Sequence, residues 1–349
     1  MARQKMVEKN LEAILVTHRP NIFYLSGFSG SSGFLLLTGQ EALLYTDFRY
    51  LQQAREEAPS FEIVPVEGGI DYSKVAKFVS QKGFKKLALE EAHLTLREYR
   101  MLQKAVPGVE PFPLYNFFEG IRAKKEEAEV ELIARAARIA DDAWRNVFPL
   151  LKPGISEREV ADELEFQMRK QGAEKLAFEI IVASGERSAL PHGVASSKII
   201  GAGELVTVDF GAVYGGYCSD MSRTFIFGEP TAKQSEIYTL VLAAQEMALQ
   251  AIKAGQKCAD VDIMVRQYFQ QQGYGAYFGH GLGHGVGLEI HELPTLAPRG
   301  QGILQESMVF TVEPGIYIEK WGGVRIEDLV VLRPDGVQIL TNSDKRFVC

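Results

Sequence analysis

The chain has 349 residues, 46% of them hydrophobic and 24% charged, with a formal net charge of −7. A chain this long suggests two domains, and the composition is that of an ordinary soluble globular protein. The negative balance, with no basic run or patch interleaved with aromatics, excludes a protein that works by neutralising nucleic-acid phosphates, and no segment reaches the roughly 18 apolar residues of a membrane helix.

Met1 to Asn10 is charged and leads into no apolar core, so it does not read as a secretory signal. Residues 1 to about 120 then alternate short apolar runs (13–16, 33–37, 42–45, 61–64) with helical patterns, which predicts an α/β domain. Nothing catalytic declares itself there. His18 and His93 stand isolated, without partner acids at ligand spacing, and read as structural or surface residues. Phe28 to Gly33 is rich in glycine and serine, but no Gly-Lys-Ser/Thr follows, so it reads as a loop and not as a phosphate cradle.

From Lys124 the pattern changes to an amphipathic helix, Glu126 to about Asn146, with Val130, Ile133, Ala137, Ala140 and Trp144 at helical spacing. A boundary between 120 and 124 follows, dividing the chain into domains 1–122 and 123–349. After Pro153-Gly154, Ser156-x-x-Glu159 makes a capping box flanked by the staple pair Ile155 and Val160, opening a helix that runs to Gly172. The element recurs: Gly154, Val160 and Gly172 are matched by Gly255, Val261 and Gly273 at a constant offset of 101.

The duplication extends to acids. Thr207-Val208-Asp209-x-Gly211…Gly215-Gly216-x-x-x-Asp220 is repeated as Thr311-Val312-Glu313-x-Gly315…Gly322-Gly323-x-x-x-Glu327. In each copy the first acid belongs to a β-like run (205–210; 308–312), and the second follows a Gly-Gly pair able to make a tight turn. One such hairpin ordinarily carries solvated turn residues. Two related by a pseudo-two-fold would gather four carboxylates, whose mutual repulsion and desolvation call for a bound cation.

Between the hairpins, Gly279-His280-Gly281-Leu282-Gly283-His284-Gly285 presents two imidazoles from a strand or loop, followed by His291. Four of the six histidines (His192, His280, His284, His291) fall in this part of the chain. Carboxylates with imidazole form a hard donor set suited to Mn²⁺, Co²⁺, Fe²⁺ or Zn²⁺. Two such ions sharing bridging carboxylates bring water to a near-neutral pKa, which makes a hydrolytic site. Cys218 would point the same way as Asp220 on an alternating strand, yet reads as a packed thiol. Cys218, Cys258 and Cys349 show no Cys-x-x-Cys spacing, which fits a reducing compartment, the cytoplasm by default.

The order Asp209, Asp220, His284, Glu313, Glu327, with Pro191-His192-Gly193, Gly281-Leu282-Gly283-His284-Gly285, Val312-Glu313-Pro314-Gly315-Ile316-Tyr317 and Val324-Arg325-Ile326-Glu327-Asp328, resembles the Xaa-Pro peptidases of the pita-bread fold, prolidase and aminopeptidase P. The resemblance implies an α/β N-terminal creatinase-like domain followed by an α+β, duplicated pita-bread catalytic domain. It implies a homodimer acting on a proline-containing peptide or dipeptide with two divalent ions per subunit, Mn²⁺ first and Co²⁺ or Zn²⁺ after it. Carried over by position, Asp209 and Asp220 would bind one ion, Asp220 and Glu327 would bridge to a second, and His284 and Glu313 would complete that second set. Glu313 would take the proton of the attacking water. His192, His280 and His291 would line the substrate site as catalytic imidazoles, with His192 and His291 near the scissile carbonyl and the proline. Tyr317 would belong to the pocket. Arg325 would orient the acids, unless it forms an ordinary strand salt bridge.

The family leaves rival activities. A dipeptide-only enzyme needs a cation for the substrate carboxylate, and Thr295 stands where some prolidases place an arginine, with Arg299 nearby. Three further rivals are a methionine-aminopeptidase activity, a metal-independent creatinase-like amidinohydrolase and a non-catalytic binding module. Retention of all five ligand types disfavours the last two.

Overall fold

The first apolar runs become strands because both of their faces are covered. In the computed structural model, which describes residues 2–67 and 72–349, the N-terminal sheet orders its six strands as Glu62–Pro65, Ala42–Thr46, Phe34–Thr38, Ala13–Val16, Lys86–Glu90 and Glu110–Leu114. Ile14 and Val16 join one apolar cluster with Ile22, Ala54 and Phe118, while Ala13 and Leu15 join another with Val75, Val79 and Leu102. That division explains why the strand reads as a continuous apolar run. Phe28 to Gly33 is a loop, as expected.

His18 and His93 are not isolated, contrary to their sequence context. Their rings stack with centroids 3.4 Å apart and planes 9° apart, and His93 Nε2 lies 3.3 Å from Glu119 Oε1. Imidazole lone pairs lie in the ring plane, so two parallel rings cannot aim at one ion as they stand. The stack packs the domain, and only the fold could bring together positions this far apart in sequence.

Contacts divide the chain into two units, residues 1–122 and 123–349. In the second, helices Glu127–Val147 and Glu157–Lys170 are answered by Ala232–Ala251 and Cys258–Gln271, the second of each pair having the same length of 14 residues at an offset of 101. The predicted capping box is present, with Ser156 Oγ accepting from Glu159 N–H at 3.2 Å and Glu159 Oε2 accepting from Ser156 N–H at 2.8 Å. Its repeat has Lys257 at the cap position and no side-chain cap.

Each helix pair covers its own strands. Trp144 stacks on Phe210 at 5.5 Å between centroids, in a core with Val160, Leu164, Val206 and Val208. In the second half Val241, Val261 and Val265 pack against Phe310, Val312, Val330 and Leu332. This is a duplicated α+β unit, helices outside and strand ends meeting inside. Among the described residues no helix is long and apolar enough to cross a membrane.

Candidate active site

Each acid reaches the site from a strand end. Asp209 lies near the end of Leu205–Phe210, which pairs antiparallel with Met221–Ile226 so that Asp209 opposes Ser222. Asp220 immediately precedes that second strand. Glu313 follows Val309–Val312 and Glu327 precedes Asp328–Arg333, two strands that also pair antiparallel. Equivalent hairpins therefore deliver equivalent acids, although Glu313 stands just outside its strand.

The two Gly-Gly pairs do different jobs. Gly215 and Gly216, at φ 57° and 81°, form the two-residue turn joining Ala212–Tyr214 to Tyr217–Cys218, the backbone a hairpin of this length favours. In the second copy the expected glycine turn is absent. There Lys320 at φ 59° makes the reversal, and Gly322 and Gly323 open the returning strand Gly322–Arg325. A Cβ on Gly323 would lie 2.3 Å from the Ser188 carbonyl oxygen, so close backbone approach accounts for glycine at that position.

Asp209, Asp220, His284, Glu313 and Glu327 line one cavity of about 500 Å³ together with His192, His280, His291 and Arg325. Tyr317 is not in the lining. It stands behind, its hydroxyl 2.9 Å from both His280 Nε2 and Arg325 Nη1. Cys218 also stays out of the cavity, because its strand ends at Cys218 and the alternation stops before Asp220. The thiol is buried and burial pushes it up to about 12, which keeps it protonated.

The donor set passes a direct test of fit for divalent cations. His284 Nε2 lies 3.5 Å from both Asp220 Oδ2 and Glu313 Oε1. Ligand atoms of Asp220, His284 and Glu327 fall within 4.8 Å of one another. Asp209 Oδ1 is buried with no hydrogen-bond partner. Burial, and then Glu327, Asp209 and Glu313, pushes Asp220 well above the usual carboxylate range. Burial followed by Glu313 and Asp209 does the same to Glu327, and burial foremost raises Glu313 to about 8. Acids this crowded ionise together only when cations join them.

Three of the imidazoles are pushed toward the neutral form, and two of them, His280 and His284, have a defined tautomer. Burial first and His291 second lower His284 to about 4, and burial with the Arg325 charge lowers His280 to about 4. Burial with His192 lowers His291. His284 Nδ1 faces the Gly285 carbonyl oxygen at 3.1 Å. A carbonyl only accepts, so Nδ1 carries the proton and Nε2 offers its lone pair to the acids. The same logic at His280, with Nδ1 2.7 Å from Gly281 O, makes Nε2 the acceptor of the Tyr317 hydroxyl.

Arg325 spans the site from beneath. It is buried and donates to Asp209 Oδ2 at 2.8 Å, Ser222 Oγ at 2.7 Å, Tyr317 Oη at 2.9 Å and Pro191 O at 3.1 Å. Arg325→Met is expected to destabilise the metal-free protein by about 3–5 kcal/mol, the usual cost of stranding a buried partner charge. A lower urea midpoint at unchanged m-value would record it.

Several contributors carry no sequence motif. Phe178, Ile181, Val194 and Ile290 form an apolar wall of the cavity, with the exposed Glu179 beside them. Ser222 donates to Glu327 Oε2 at 2.6 Å, and Thr311 donates to Glu313 Oε1 at 3.1 Å. Only Thr311 had a signal: it stands two before an acid in the duplicated Thr-Val-acid frame.

Comparison with known proteins accords with this geometry. The profile of the creatinase/prolidase N-terminal domain matches residues 1–124, and that of metallopeptidase family M24 matches residues 131–334. A Xaa-Pro dipeptidase of Pyrococcus horikoshii is 40% identical over 345 residues, covering 98% of this chain and 96% of that one. Among solved structures, a Xaa-Pro dipeptidase from Bacillus anthracis superposes with TM-score 0.96 at 45% identity, covering 99% of this chain and 97% of that one. An X-Pro aminopeptidase from Thermotoga maritima gives 0.90 at 41% identity, covering 97% of each chain. With acids gathered at strand ends, a neutral His284 and a matched domain on either side of residue 124, this chain belongs to metallopeptidase family M24 and carries the creatinase/prolidase N-terminal domain ahead of its pita-bread domain.

Proposed function

We propose that this chain hydrolyses the peptide bond preceding proline at the N-terminus of peptides. The observation that carries the reading is a single cavity in which Asp209, Asp220, His284, Glu313 and Glu327 converge beside the apolar wall of Phe178, Ile181, Val194 and Ile290. Asp209 and Asp220 would hold one divalent ion and His284 and Glu313 a second, with Asp220 and Glu327 shared between them; Mn²⁺ is the first to test, then Co²⁺ and Zn²⁺. Bound there, such ions polarise a carbonyl and bring water toward a neutral pKa.

Glu313 takes the proton of the attacking water, a role aided by the Thr311 hydroxyl that orients its carboxylate. The leaving prolyl nitrogen must be protonated before it departs; the proton that Glu313 takes from the water can be passed to it, and His291 and His192 border the space where it would lie. The apolar wall suits a pyrrolidine ring, which has no N–H to satisfy. Arg325 is engaged by Asp209, Ser222, Tyr317 and Pro191 and is not available to substrate.

A second reading concerns chain length. Among the described residues Arg325 is the one cation lining the cavity, and the Thr295 side of the cavity supplies no charge for a dipeptide's carboxylate. This favours substrates that continue beyond proline, as the name of the Thermotoga maritima relative suggests, whereas the Bacillus anthracis and Pyrococcus horikoshii names suggest dipeptides. The test is hydrolysis of an Xaa-Pro dipeptide and an Xaa-Pro-Xaa tripeptide by protein stripped of metal and reloaded with Mn²⁺, Co²⁺ or Zn²⁺. Cleavage of the dipeptide alone identifies a prolidase, and release of the first residue from the tripeptide an aminopeptidase P. Silence on both with every metal overturns the reading.

A further inference from the structure

The helix Cys258–Gln271 carries an ion pair whose contacts all fall on the segment presenting His280. Asp262 is fully buried and receives Arg266 twice, Nε to Oδ2 at 2.6 Å and Nη2 to Oδ1 at 3.1 Å. The pair's other hydrogen bonds go to backbone at every second residue beyond the helix. Arg266 Nη1 donates to Phe278 O at 2.8 Å, Arg266 Nη2 donates to His280 O, and Asp262 Oδ1 accepts Leu282 N–H at 3.0 Å. Between these three residues stand Gly279 and Gly281, and no regular structure begins until the strand Gly283–Gly285. Glycine loses the most conformational freedom on ordering, so this stretch cannot hold its own shape and must be held from outside.

Two of the three pinned residues lead to the site. His280 Nε2 meets Tyr317, whose hydroxyl meets Arg325, which binds Asp209. Leu282 O accepts the backbone N–H of Glu313 at 2.8 Å.

The first half has a counterpart. Glu157, fully buried at the start of Glu157–Lys170, accepts Ser184 N–H at 2.8 Å, Arg187 Nε at 3.1 Å and Ser196 N–H at 3.1 Å. It thereby ties both ends of the segment that carries His192, and Arg187 Nη2 adds a bond to Val194 O at 2.7 Å. Glu157 and Asp262 are not separated by the 101-residue offset of the duplication, so each half reaches the arrangement with a different helix position.

We propose that Asp262–Arg266 and Glu157–Arg187 are positioning clamps, each a buried acid bonded to a partly exposed arginine, and that each sets the place of one substrate-facing imidazole, His280 or His192. Its consequence for turnover rests on the Xaa-Pro peptidase reading; its consequence for backbone order does not.

The test uses the full chain. Arg266→Lys keeps a cation for Asp262, so the fold survives, but one ammonium cannot bind Asp262 and also hold two carbonyls. Hydrogen exchange on the metal-free protein is expected to quicken across residues 278–284 and nowhere else. In the metal-loaded enzyme kcat on an Xaa-Pro tripeptide should fall about tenfold to a hundredfold, the penalty for sub-ångström misplacement of a reacting group, with KM moving less. Arg266→Lys combined with His280→Ala should be no slower than His280→Ala alone, because the clamp acts through His280. Unchanged exchange at 278–284, or losses that simply add in the double variant, would overturn the proposal. Quickened exchange in a chain that cleaves no Xaa-Pro substrate would uphold the clamp and remove the peptidase reading instead.

Discussion

Asp220→Asn is expected to lower kcat on an Xaa-Pro peptide by about a thousandfold or more, with loss of bound metal, and at the same time to stabilise the metal-free protein. The first effect follows from Asp220 being shared between the two proposed ion positions. Losing the several kcal/mol of transition-state charge stabilisation that such ions supply corresponds to about three powers of ten in rate. The second follows from crowding, because Asp220 is buried against Glu327, Asp209 and Glu313. A neutral amide of the same shape removes one of the repelling acids without leaving a cavity. Elemental analysis, single-substrate kinetics and urea denaturation with chelator would read the three outcomes. Full activity in a variant shown to be free of metal would sink the metal-dependent mechanism.

Chelated protein is expected to lose stability as pH rises from about 6.5 to 8, and metal-loaded protein is not. The sign follows from proton counts. Glu313 is raised to about 8 in the fold, and Asp220 and Glu327 are raised in the same direction. Such acids bind more protons folded than unfolded, so their contribution is present at low pH and is lost as pH climbs through the folded value. His280 and His284, lowered to about 4, act oppositely: they favour unfolding below about 6.5, the ordinary histidine value. The two groups oppose one another below that pH, and above it only the acids titrate. Each acid contributes at most about 1.4 kcal/mol per pH unit in this window. Cations that replace protons at the carboxylates erase the slope. Urea midpoints measured at pH 6.5, 7.2 and 8, with and without Mn²⁺, check this; a chelated protein equally stable at all three would show that the acids are not protonated in the fold.

Much of the architecture is legible along the chain. The 101-residue offset announces matched helices, and helices Glu157–Lys170 and Cys258–Gln271 keep it at both ends. The Ser156 capping box and the apolar stripe through Val130, Ile133 and Trp144 can be read from the letters because helix periodicity and end-capping are local properties. Local patterns mislead where a residue's job depends on what approaches it. Gly322-Gly323 copies the letters of Gly215-Gly216, but Ser188, remote in sequence, decides that its glycines serve close packing. His18 and His93 look solitary because a stack between residues so far apart leaves no motif. Glu157 and Asp262 read as ordinary acids near helix starts, and nothing local says that they are buried and bonded to the loops carrying His192 and His280.

By itself, then, the sequence determined that paired acids come in two copies with histidines between them, because duplication, strand patterning and residue type are written along the chain. Only the tertiary structure decided which atoms face one another: Arg325 against Asp209 at 2.8 Å, Tyr317 behind the cavity and Phe178 with Ile290 along its wall. Those pairings join residues up to 116 positions apart, and they are set by how the strand ends and helices of the two halves pack together, which no short window of sequence contains.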